Sequence, residues 1–115
     1  MKVSTQTAGV LLLLFGALKF ASTAVWAVRG GALWITIAFV IISLITVVQG
    51  LAIMNYMAND VIETYIFAAI GVFLVAFYAP QLMGTTNNWD RAIVVGNIAA
   101  GAAFLAWAVG AVGTH

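Results

Sequence analysis

Cysteine is absent from this 115-residue chain, histidine and proline each occur once, and charged residues make up only 6%. Each absence closes off chemistry. Without cysteine there is no disulfide, no thiolate metal site and no sulfur nucleophile. The single imidazole belongs to His115, the last residue, so a zinc or haem centre needing two imidazoles cannot be assembled from one chain. Four Lys plus Arg and three Asp plus Glu give a net charge of +1, far from the basic balance of a nucleic-acid binder, and no nucleic-acid partner is expected. No catalytic constellation, metal cluster or cofactor motif emerges from so few polar groups. The chain reads as a non-enzyme without metal or cofactor.

What fills the sequence instead is apolar residues, 65% of the total. A soluble domain is about half apolar and about a quarter charged, because much of its surface faces water. A bilayer is the solvent that suits this composition, and lipid is the expected partner. A crossing needs about 20 predominantly apolar residues to cover about 30 Å of hydrocarbon. Four such runs are present, over residues 5–28, 32–54, 61–83 and 90–112. The first could pass for a signal sequence, with Ser22-Thr23-Ala24 as a small-residue cleavage site. Lys19 interrupts its apolar run, however, which favours a retained helix.

The breaks between runs have local causes. Gly30-Gly31 marks a tight turn between the first two. Asp60-Val61-Ile62-Glu63 has the pattern of a capping box, with Asp60 as N-cap and Glu63 at the third helical position. Asn87, Asn88 or Asp90 can cap the fourth span. Short connections turn each helix antiparallel to the one before it. The expected fold is therefore an all-α membrane protein, a single transmembrane domain over residues 1–115 with four helices in an up-down-up-down bundle.

Both termini and the Asn55–Ile62 loop then share one side, here side A. The Arg29 loop and the Gly84–Trp89 loop share side B. Trp26, Trp34 and Trp89 fall near side B, and Tyr56, Tyr65 and Trp107 near side A, as interfacial belts require. Arg29 and Arg91 on side B, against Lys2 on side A, place side B in the cytoplasm and the termini outside. The plasma (cell) membrane of a prokaryote is the expected location.

Lys19 is the one ionisable residue well inside a span. Its Cα lies roughly 15 Å below side B, counted at 1.5 Å per residue. Asn97 and Tyr78 lie roughly 10 and 8 Å below the same surface, with Gln81 and Asp90 nearer to it. Meeting of spans one, three and four would make these five residues a polar pocket open to side B. Pro80, which removes the hydrogen bond to Ala76, is expected to kink the last turn of span three, with Gln81 capping the freed carbonyl. Small residues at helical spacing, Gly16 in span one and Ala99, Ala103, Ala106 and Gly110 in span four, are the expected packing positions.

The stretch Tyr78-Ala79-Pro80-Gln81-Leu82-Met83-Gly84, followed by Trp89-Asp90 and Val94-Val95-Gly96-Asn97, resembles the SPW-repeat family of small membrane proteins. That family ends one helix on Ser-Pro-Trp and opens the next on a Trp-Asn step; Ala79 and Gln81 stand in place of the Ser and Trp. The resemblance implies a four-helix membrane fold and no established activity. Two functions follow from the residues: a non-catalytic accessory or structural subunit of a larger integral membrane complex, bound to other membrane subunits or to itself, and a small oligomeric transporter or channel built on the Lys19 pocket.

Overall fold

A computed structural model describes residues 2–114, so His115 lies outside the described residues. The elements are α1 (Thr5–Val28), α2 (Leu33–Met54), α3 (Asp60–Tyr78), a 3₁₀ segment (Ala79–Met83) and α4 (Asn88–Ala108). Apart from one backbone bridge between Lys2 and Gly113, the described residues form helices and their connections. The fold is all-helical, and all four helices are long and apolar enough to cross a membrane. At most a third of each helix's apolar window is buried, so most of the apolar side chains face outward. Leu11, Leu18, Leu44, Val48 and Val72 are examples.

The chain divides into two compact units. One is the α1–α2 hairpin. Ser4 caps α1 by accepting from the Thr7 amide at 3.1 Å. At its far end Gly30 N–H donates to Ala27 O and Gly31 N–H to Trp26 O, with Gly30 at φ +80°. That is the Schellman arrangement, which satisfies the last carbonyls and reverses the chain. The two helices approach through glycine. A Cβ on Gly16 would lie 3.1 Å from Ser43 O and 2.6 Å from Val47 Cγ2, and one on Gly50 would lie 3.0 Å from Gly9 O.

The second unit is the α3–α4 hairpin with its 3₁₀ connection and the Lys2–Gly113 bridge. Here the expected capping box is corrected. Asn59 is the N-cap of α3, its side chain accepting from Val61 N at 3.0 Å and Ile62 N at 3.2 Å. Asp60 is the first helical residue, and the Glu63 side chain turns into the hairpin. Asn wins the cap because its short amide oxygen reaches the first free amides one residue earlier. Asn87 caps α4 in the same way, accepting from Trp89 N at 2.7 Å.

Pro80 disrupts the end of the α-helix as expected, but the expected Gln81 cap on Ala76 is corrected to one on Phe77. The α-helix gives way to 3₁₀ geometry at Ala79, and Gln81 Nε2 donates to Phe77 O at 3.0 Å, the carbonyl after that of Ala76. An i to i−4 reach from residue 81 falls on Phe77. The fourth helix stops at Ala108, short of the expected residue 112. Gly110, at φ +82°, ends it in a second Schellman arrangement, with Gly110 N–H bonded to Trp107 O and Ala111 N–H to Ala106 O.

Candidate functional site

Lys19 lies on the face of α1 that meets α2 and is only 3% exposed. Gly16, one turn earlier, lets the two backbones close in. Lys19 Nζ sits 4.0 Å from the centroid of the Phe39 ring on α2. A cation over an aromatic face gains about 2 kcal/mol or more once desolvated, so Phe39 offsets part of the cost of burying the ammonium.

The hydroxyls around this pair serve the backbone. Thr23 Oγ1 donates to Lys19 O at 2.7 Å and Ser22 Oγ to the same oxygen at 3.1 Å. Ser43 Oγ donates to Phe39 O at 2.8 Å and Thr46 Oγ1 to Ile42 O at 2.7 Å. Each proton goes to the carbonyl three or four residues back on the same helix, so a polar side chain is buried without disturbing the apolar packing.

The other residues expected near Lys19 belong to the α3–α4 hairpin. Tyr78 is buried at the end of α3, edge-on to Phe77 with centroids 5.0 Å apart. Gln81 bonds to Phe77 O, which brings Tyr78 and Gln81 to the same helix end. Asn97, half-buried, donates from Nδ2 to Ile93 O at 2.8 Å. Asp90 is exposed in the first turn of α4.

The packing positions divide. Gly16 packs as expected. In the α3–α4 hairpin, Ala99 and Ala103 are exposed, Ala106 is half-buried and Gly110 terminates the helix. The close approach belongs to Gly101 and Gly71 instead. A Cβ on Gly71 would lie 2.8 Å from Gly101 O, and one on Gly101 would lie 3.1 Å from Gly71 O. Gly101 shares its face with buried Val94 and Phe104, at the 3–4-residue spacing of a helix stripe, whereas Ala99 and Ala103 lie off it.

The residue that sequence reasoning placed in the wrong role is Glu63. It is 4% exposed, and its carboxylate accepts a hydrogen bond from Trp107 Nε1. Phe67 meets the indole edge-on at 5.6 Å and, edge-on as well, the Phe104 ring at 5.1 Å. The signal was present: Glu63, Phe67, Ile70, Leu74 and Tyr78 recur every three to four residues and are all buried. Glu63 therefore continues the apolar stripe toward the start of α3. Trp107 was read as a belt residue, and it differs from exposed Trp34, Trp89, Tyr56 and Tyr65 in having its indole N–H committed inside the hairpin.

Beside this pair, at the end where α3 begins and α4 finishes, lies a cavity of about 380 Å³. Lys2, Asp60, Glu63, Thr64, Trp107 and Gly110 are among its walls. Thr64 Oγ1 donates to Asp60 O at 2.9 Å. Both signs of charge and an indole are thus collected at one end of one hairpin. Comparison of the chain with family models, with curated proteins and with solved structures finds no match, so the resemblance to the SPW-repeat family rests on the residues quoted for it.

Proposed function

We propose that this chain is a non-catalytic subunit of an integral membrane assembly, its four helices crossing the bilayer in alternating directions with both termini on one side. Its outward faces meet lipid and the helices of other membrane subunits or of a second copy. The observation that carries this reading is how the polar groups within the spans are used. Lys19 lies against Phe39, and the hydroxyls of Thr23, Ser43 and Thr46 donate to carbonyls of their own helices. A conduit needs polar groups turned toward a passing solute. These are turned toward an aromatic ring or the backbone, an arrangement that serves packing.

The competing reading, a small oligomeric transporter using Lys19, is separated by reconstitution. Purified chain in liposomes is expected to move protons, monovalent cations and small anions no faster than protein-free liposomes. A flux that the chain supports alone, and that Lys19→Leu abolishes while assembly persists, would overturn the subunit reading.

A further inference from the structure

We infer that this chain enters the bilayer in both orientations, with side B facing the cytoplasm in most copies and side A facing it in the rest. The inference rests on the membrane-spanning part of the reading above and is independent of the subunit role. Orientation follows the lysines and arginines of short loops and span ends, while acidic residues contribute little. The helix ends assign those residues to their sides. Exposed Arg29 is the C-cap of α1, and exposed Arg91 lies near the start of α4, its guanidinium donating to Thr85 O at 3.1 Å. Both belong to side B. Exposed Lys2, ahead of the Ser4 cap, belongs to side A. Lys19 is buried against Phe39 near mid-span and weights neither side. The margin is a single residue.

No other feature of the described residues breaks the tie. The connections over residues 29–32, 55–59 and 84–87 are all short, so none of them carries a folded segment that would be held on one side. Trp34 and Trp89 are exposed at side B, and Tyr56 and Tyr65 at side A. Either way up, an aromatic belt therefore meets each interface. One basic residue beside an anionic leaflet is worth about 1 kcal/mol, a factor of about five between the two orientations. On that margin about one copy in six is inverted, and the outward faces are offered to partners in both directions.

The test exploits the absence of cysteine. The chain is expressed in bacterial cells with one introduced cysteine at an exposed loop position, Gly84→Cys on side B or Met57→Cys on side A. Labelling with a membrane-impermeant maleimide is compared before and after the cells are permeabilised. From outside, about one-sixth of residue 84 and about five-sixths of residue 57 should react. Arg29→Gln levels the count and should bring both fractions to about one half. Thr86→Lys widens the margin and should cut the residue 84 fraction about fivefold. Residue 84 closed to outside label while residue 57 is fully open means a single orientation and overturns the inference. Fractions that neither charge variant moves overturn it too. In a spanning chain the two outside fractions sum to one. A sum far from one would mean that residues 57 and 84 do not lie on opposite faces, which removes the spanning reading and the inference with it.

Discussion

An ammonium in an apolar hairpin and a carboxylate against an indole are the two places where single residues set the energetics of this chain. A buried charged group that loses a favourable contact costs more than a neutral one does, because its desolvation is then less well offset. Phe39→Leu should therefore destabilise the α1–α2 hairpin by about 2 kcal/mol, through the lost cation–π contact and the reduced volume. In the Lys19→Met background the same substitution should cost less. A thermal-unfolding double-mutant cycle in detergent measures the difference, and strict additivity would mean that Lys19 and Phe39 do not interact. The same cycle on Glu63→Gln and Trp107→Phe should show a coupling of about 1.5–3 kcal/mol, typical of a hydrogen bond to a charged group. Depth counting along the sequence was enough to locate Lys19 as a buried charge. Its aromatic partner was not legible, because Phe39 looks like any other apolar residue of α2. Glu63 was misread for a related reason: a carboxylate near a helix start fits a cap pattern, and only its register with Phe67, Ile70 and Leu74 shows that it points inward.

At the scale of the element, the limits of the helices follow from hydrogen-bonding demand at their ends. Side-chain oxygens of Ser4, Asn59 and Asn87 open α1, α3 and α4, and left-handed residues close α1, α2 and α4. Two of those closing positions are Gly30 and Gly110, but the third is Tyr56 at φ +57°. Met57 N–H donates to Ala52 O and Tyr56 N–H to Ile53 O, so α2 ends in the same Schellman form without a glycine. A non-glycine residue pays about 1–2 kcal/mol for that conformation. Tyr56→Gly should raise the thermal stability of the chain, by up to about 1 kcal/mol after the added freedom of the unfolded glycine is counted. Unchanged or lowered stability would mean that the exposed Tyr56 side chain contributes more than its backbone costs. Between helices, Gly71→Ala places a methyl 2.8 Å from Gly101 O and should cost about 1–3 kcal/mol by overpacking. Ala103→Gly, off that face, should cost only the helix-propensity loss of about 1 kcal/mol. The spans were legible because long apolar runs punctuated by glycine and asparagine leave few alternatives. Which small residues pack was not, since alanine and glycine recur on several faces of α4 and only the neighbouring Val94 and Phe104 mark the one that meets α3.

For the molecule as a whole, the composition limits the possible environments more than any single contact does. Apolar side chains cover the outward faces of helices long enough to cross a bilayer, and seven charged residues leave water little to solvate. Function was the part least open to reading from sequence, because it resides in what those outward faces meet. The polar groups buried within the helices already have partners in the fold, which is why we propose a role in assembly rather than in transport. The direct measurement is native mass spectrometry of the chain purified in mild detergent from its own membrane. The account expects it in a fixed stoichiometry with another membrane subunit or with further copies of itself, and silent in liposome flux. A monomer carrying only lipid, or a homo-oligomer that moves solute unaided, would contradict it.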